Sequence, residues 1–212
     1  MTLGLFRWVM ALIILLPLCY KDLVAAWPVI KKYWYFYLSS SLAGTSMFTI
    51  VLYLAAPSTS VLNMTLIATT TPVFTIILAR FFLGESFTVN RVIGIIVAIA
   101  GVTVLATRGK LANLLGLEFH TGDLLVLASA TLFAINNIFM RSKPKGPSLN
   151  AYMFTIFFLG LLVTLPFSIW EMAQPHNHII FNSEFIIAAI YLGLLASVGG
   201  FWFWNKSIVS IG

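Results

Sequence analysis

Long apolar runs separated by short polar stretches fill nearly the whole chain. Seven of them reach, or come close to, the roughly 20 residues that a helix needs to cross about 30 Å of hydrocarbon. They lie at about 3–20, 34–54, 60–83, 88–106, 123–141, 149–170 and 184–204. Between the first two, residues 21–33 read as a loop. Between the second and third lies only Ala55-Ala56-Pro57-Ser58-Thr59-Ser60, a tight uncharged turn. The longest connection, TRGKLANLLGLEFHTG at 107–122, carries Gly109, Gly116 and Gly122 and divides the chain into halves at 1–107 and 122–212. The pattern predicts an all-α, polytopic integral membrane helix bundle.

Composition strengthens this reading. Hydrophobic residues make up 60% of the chain and charged ones 8%, with a mean hydropathy of +1.01. A soluble domain would carry about a quarter charged residues to cover its water-facing surface. The single Cys19 excludes an intrachain disulfide. The net charge of +6 does not gather on a polar module, which excludes nucleic acid as the partner it serves. Instead it sets orientation. Lys21, Lys31, Lys32, Arg80, Arg91, Arg141, Lys143, Lys145 and Lys206 fall on one side of the alternating spans, against Arg7, Arg108 and Lys110 on the other. With Asp22 and Glu85 on the first side and Glu118, Asp123, Glu171 and Glu184 opposite, the balance is +7 against −1. The basic side is cytoplasmic. The first run lacks a small-x-small cleavage site, and the residue before Cys19 is Leu18, so it reads as a retained helix and not a targeting segment.

The runs also repeat. FRWVMALIILLPL in the first and FTIFFLGLLVTLPF in the sixth both end in Leu-Pro. Next in each case comes a helix opening on small residues, LAGTSMFTIVLYLAAPSTS from Leu42 and LASVGGFWFWNKSIVSIG from Leu195. Partners five runs apart point in opposite directions across a bilayer, so the pairing implies an inverted-topology repeat, an architecture of secondary transporters.

One stretch carries more information than the rest. TPVFTIILARFFLGESFTVNRVIGIIVAIAGVTVLA, from Thr71 to Ala106, holds Pro72 inside an apolar run and a Gly84-Glu85 turn, then Arg91-Val92-Ile93-Gly94 opening the next run. A proline there is tolerated in a membrane bundle because neighbours re-satisfy the freed carbonyl. This order of features resembles the end of one repeat of the EamA-type transporters of the drug/metabolite transporter superfamily. The resemblance implies ten helices in two five-helix halves, of which this chain covers the second to the eighth, so that a fragment is expected. It also implies alternating access around a central cavity, carriage of a small metabolite or drug-like solute, and a multi-pass place in a bacterial inner membrane. In the family the cavity helices would correspond here to 34–54, 60–83, 123–141 and 184–204.

Catalytic chemistry is not visible. There is no Gly-x-Ser-x-Gly, His-Glu-x-x-His, Gly-rich phosphate loop or Cys-x-x-Cys. His176-Asn177-His178 lacks a third ligand, so neither a metal nor another cofactor is expected, nor enzyme activity. The six acidic residues all fall at run ends or in loops, leaving no carboxylate at mid-membrane for a proton relay. Neutral polar groups remain as candidates for the solute cavity: Ser41, Thr45 and Thr49; Asn63, Thr70 and the kink-forming Pro72; Asn136 and Asn137; Ser197, Trp202 and Asn205. A buried amide in hydrocarbon needs a partner, either a neighbouring helix or a transported solute. The Ser39-Ser40-Ser41 run and the Gly94, Ala98, Gly101 stripe read as close helix contacts. Trp8, Trp27, Trp34, Trp170, Tyr20 and Tyr33 read as interfacial belts. The expected partners are a solute, the lipid bilayer and at most a second copy in a homodimer. Two rivals are a seven-helix receptor or sensor, which the helix number alone favours, and an intramembrane enzyme, which lacks paired catalytic groups.

The charge partition has a direct test. Reporter fusions after Lys32, Glu85 and Lys145 should read as cytoplasmic, and fusions after Ser58, Leu114 and His178 as the far side. One exchanged pair would break the inverted repeat, because parity underlies it.

Overall fold

The computed structural model describes residues 2–86, 88–106, 120–174 and 182–211. Most of the 107–122 connection, with Arg108, Lys110, Leu114 and Glu118, lies outside the described residues, as do His176, Asn177 and His178. Every regular element described is helical. They are α1 (Thr2–Lys32), α2 (Trp34–Ser41), α3 (Met47–Ala55), α4 (Val61–Ala68), α5 (Thr71–Leu83), α6 (Val89–Ala106), α7 (Thr121–Arg141), α8 (Leu149–Met172), α9 (Ser183–Tyr191) and α10 (Phe201–Ile211). Two wider π-helical segments, Leu42–Ser46 and Leu192–Gly200, join α2 to α3 and α9 to α10.

Six of these helical runs are long and apolar enough to cross a membrane: 2–32, 34–58, 61–83, 121–141, 149–172 and 183–208. The fourth expected span is α6, 18 residues long, whose apolar core is the shorter Val92–Gly101. Large apolar side chains face outward along most of them, Leu18 at 63% exposure and Phe81 at 79% among them. In water such a surface would aggregate; in a bilayer it meets lipid.

Local sequence sets several boundaries. Ser60, Ser148 and Asn182 cap the helices that follow them, each accepting from the backbone N–H three residues on. Gly84 ends α5 in the left-handed region at φ 69°, and the Glu85 N–H closes back on the Ala79 carbonyl at 3.4 Å. That turn is the physical content of the Gly84-Glu85 motif. Pro72 breaks the third run into α4 and α5, leaving Thr69-Thr70 as the turn.

The first helix corrects the sequence expectation. Residues 21–32 are not a loop but a continuation of α1, which runs 31 residues through Pro17 and Pro28. Its length of about 46 Å exceeds the hydrocarbon thickness. Cys19, Leu23, Ala26 and Ile30 recur at helical spacing and turn inward, while Lys21, Asp22, Lys31 and Lys32 stay exposed. The apolar stripe holds the helix together past its prolines and charges.

The chain forms two compact units, Met1–Ser46 with Phe139–Gly212, and Met47–Ile138. They do not follow the division at 107–122; the first unit joins the opening helices to the last third of the chain. In that unit α1 packs along α8, and Trp8, Ala11, Leu15, Tyr37, Tyr152, Ile156 and Phe157 form its core. The π segment at Leu42–Ser46 packs on α8, and the one at Leu192–Gly200 packs on α1. Small residues permit both approaches. A Cβ added at Gly160 would run into the Thr45 side chain, and one at Gly193 would lie 2.6 Å from the Met10 Cβ and 3.2 Å from the Arg7 carbonyl.

In the second unit α7 meets α3 through the Phe48 and Phe133 rings, 5.1 Å apart, and through Ser129 Oγ, which donates to the Phe48 carbonyl at 3.2 Å. Gly122 at the start of α7 lies against Ser58, 2.7 Å from its carbonyl oxygen to an added Cβ. The Gly94, Ala98, Gly101 stripe, expected as a close contact, is exposed, and nothing described lies within 4 Å of a Cβ built at either glycine. Spacing identified a smooth face but not whether a helix covers it.

These approaches predict a contrast. Gly193→Ala should lower stability by about 1–3 kcal/mol, because the backbone carbonyl of α1 cannot yield. Gly94→Ala should be neutral or slightly stabilising, since alanine favours helix and meets open space. Thermal unfolding in detergent checks both, and equal melting temperatures would remove the close approach.

Candidate functional site

The polar residues singled out by the sequence separate into three kinds of environment. The first is helix contact. Ser41 Oγ donates to the Ile156 carbonyl at 2.7 Å and lies 3.0 Å from Thr45 Oγ1, while Thr45 donates to the Ser41 carbonyl at 2.7 Å. Beside them Ser40 and the Tyr152 hydroxyl are 2.6 Å apart, and Ser46 Oγ donates to the Gly160 carbonyl at 3.4 Å. These hydroxyls bind the small-residue helix to α8, as the Ser39–Ser41 run suggested.

The second environment is a polar node in the other unit. Asn63 Nδ2 donates to Asp123 Oδ2 at 3.1 Å, Thr59 donates to Asp123 Oδ1, and the His120 backbone N–H donates to Oδ2 at 2.8 Å. Asp123 sits three residues after the residue that caps α7 and reaches back to its N–H, the acidic half of a capping box. It also places negative charge at the positive end of the helix. So the Asn63 amide is engaged by a neighbouring helix. The sequence placed Asp123 correctly at a run end but missed the pairing, although the His-Thr-Gly-Asp order at a helix start was a legible signal. Nearby in the same unit, Asn137 Nδ2 donates to Thr75 Oγ1 at 3.1 Å, tying α7 to α5. Asn136 and Thr49 are buried. Thr70 is half-buried and returns its hydroxyl to the Ile67 carbonyl at 2.6 Å, and Pro72 is exposed at the start of α5.

The third environment differs in kind. In the first unit Ser197 and Asn205 are each 1% exposed, yet the Ser197 hydroxyl and both polar atoms of the Asn205 amide have no hydrogen-bond partner among the described residues. The same holds for Trp8 Nε1 and the Tyr37 hydroxyl. Trp8 is fully buried, which corrects its expected place in an interfacial belt; Trp34, Trp170 and Tyr33 are exposed at helix ends and Trp27 near the end of α1, whereas the exposed Tyr20 lies well inside the continuous α1. Trp8 packs on Phe157 at 4.7 Å and on Phe201 at 6.1 Å, and Phe157 meets Phe201 at 5.4 Å. Trp202 is half-buried against this core, with Lys206 Nζ 4.6 Å from its ring centre. The sequence singles out Ser197, Trp202 and Asn205 as polar or amphipathic groups on an apolar run, whereas Trp8 near a run end reads as interfacial until its packing is known, and Tyr37 carries no such signal.

The EamA-like transporter family matches the chain over residues 1–107 and 120–212. The uncharacterized transporter YyaM of Bacillus subtilis (strain 168) is 26% identical over 177 residues, which cover 83% of this chain and 57% of that protein. A protein of Streptantibioticus cattleyicolor named "Probable terminal-alkyne amino-acid exporter" is 29% identical over 143 residues, 66% of this chain and 44% of its own. An Escherichia coli (strain K12) protein named "Probable amino-acid metabolite efflux pump" is 27% identical over 141 residues, 62% and 45% of the two chains. The chain spans about half the length of these curated relatives. No solved structure matches it. The chain therefore belongs to the EamA-like transporter family, as a multi-pass protein of the cell membrane.

Proposed function

We propose that the protein carries a small metabolite across the membrane by alternating access between two inverted halves, residues 1–107 and 122–212, without enzymatic chemistry of its own. The observation that carries this reading is a crossed arrangement within the first compact unit. The helices whose sequences repeat, α1 and α8, pack on each other, and each also receives the π-interrupted helix of the other repeat. A pseudo-two-fold axis in the membrane plane would generate such an exchange. Interrupted helices suit transport because a π turn holds its hydrogen bonds less tightly than an α turn, and a segment can rotate there. Two relatives are named for amino-acid or amino-acid-metabolite export, which supports a solute of that size.

Within this reading the contacts to solute come from the polar side chains named above. Ser197, Trp202 and Asn205 serve recognition, whereas Ser41, Thr45, Asn63 and Asn137 hold helices, and Thr70 with Pro72 supplies the bend.

Counterflow tests the transport reading. Full-length protein in liposomes preloaded with an unlabelled neutral amino acid or its amide should accelerate entry of the labelled compound, with saturation. Absence of exchange across that panel would overturn it. Asn63→Leu separates support from recognition. It should leave the apparent KM for a transported solute within about twofold while lowering thermal stability by about 1–3 kcal/mol, because Asp123 loses a buried donor. A large rise in KM with unchanged stability would return Asn63 to the solute site.

A further inference from the structure

We propose that the first compact unit contains a recognition pocket for a solute whose polar end carries a donor and an acceptor together, as a carboxamide does, and whose body is apolar or aromatic. The proposal deepens the transport reading and rests on it only for its role, since the pocket is defined by binding. The primary observation is the set of orphaned polar atoms: Trp8 Nε1, the Tyr37 hydroxyl, Ser197 Oγ, and Asn205 Oδ1 and Nδ2. All four side chains are at most 1% exposed. Buried polar groups in folded proteins are nearly always paired, and each one left alone is costly. Several such groups in one core require an explanation other than packing.

Their placement supplies it. Ser197, Phe201 and Asn205 follow one another at intervals of four and share a helix face. Phe201 fixes where that face points, because its ring meets both Trp8 and Phe157. Tyr37 and Trp202 belong to the same apolar cluster. Asn205 and Ser197 thus border a core that joins the Trp8, Tyr37 and Phe157 rings to aliphatic side chains such as Leu15 and Ile156. Ser197 lies in the π segment Leu192–Gly200, and Phe201 begins the helix after it. Such segments recur at functional sites, where the widened turn frees a side chain from the regular ladder.

The chemistry of the orphans selects the ligand. Asn205 offers one acceptor and one amide donor side by side, a pattern met by a second amide facing it. Trp8 donates only, and the serine and tyrosine hydroxyls do either. The Arg7 guanidinium lies 4.2 Å from the centre of the Trp8 ring, so a cation borders this core, and it is the donor and acceptor pair of Asn205 that selects the carboxamide. The aromatic walls match a flat or apolar body.

Benzamide is a suitable probe, with toluene as the control for the missing polar end. With the full-length protein in nanodiscs, benzamide should shift the Trp8 indole N–H resonance, assigned through Trp8→Phe, in a saturable manner. Toluene should bind at least tenfold more weakly. Asn205→Leu should weaken benzamide about tenfold and raise the melting temperature, because it removes an unpaired amide from a closed core. Ser197→Ala, a smaller change, should weaken binding in the same direction. A melting temperature that falls with Asn205→Leu would show the amide already paired in the full-length protein and would overturn the proposal. So would equal binding of benzamide and toluene, or benzamide binding indifferent to both substitutions. Saturable, Asn205-dependent binding without counterflow would leave the pocket standing and remove the transport role instead.

Discussion

In hydrocarbon no water competes for a backbone carbonyl, so a hydroxyl that reaches one across a helix interface forms a bond with no solvent alternative. The bonds from Ser41 and Ser46 to the Ile156 and Gly160 carbonyls are of this kind, and they exist only because Gly160 lets the backbones approach. Without a hydrophobic drive between helices, close packing and such bonds must hold α8 in place. The core around Trp8, Tyr152 and Phe157 then assembles on a fixed surface, and the π segments find their seats. The position of Ser197 and Asn205 beside that core follows from the same contact.

Among the described residues, two asparagine amides show how much the partner decides. Asn63, Asp123 and Thr59 complete one another around the start of α7, and the node joins the 55–60 turn to that helix. The buried amide of Asn205 has no such complement among the described residues. Both residues are asparagines on apolar helices, so residue type alone does not separate them. Satisfaction does. A paired amide stabilises a unit, whereas an unpaired one weakens it and is retained where it meets something else.

The long first helix illustrates how competing local signals resolve. Pro17, Pro28 and four charged side chains between residues 21 and 32 argue for a break after the first membrane span. The inward stripe of Cys19, Leu23, Ala26 and Ile30 argues for continuation, and it wins because burial along a whole face outweighs the carbonyls that the prolines release. At Pro72 the balance reverses. There Thr70 and Thr69 turn their hydroxyls onto carbonyls one turn back, and the run breaks.

Much of the architecture was determined by sequence alone. Apolar run length specified membrane-crossing helices, because hydrocarbon admits little else. The Gly84-Glu85 turn and the Ser60 and Ser148 caps were local, since each satisfies backbone groups only a few residues away. The Leu-Pro echo between the first and sixth runs paired two helices, α1 and α8, whose packing on each other only the folded chain reveals. Tertiary structure decided what spacing cannot encode: which smooth faces are covered, as at Gly193, and which stay open, as at Gly94. It also decided that Trp8 lies in a core and not at an interface, and that Asn63 is answered while Asn205 is not. Periodicity fixes the side of a helix on which a residue stands. What stands opposite depends on residues far along the chain, 60 positions away for Asn63 and Asp123 and 115 for Ser41 and Ile156, and only the folded chain brings them within reach.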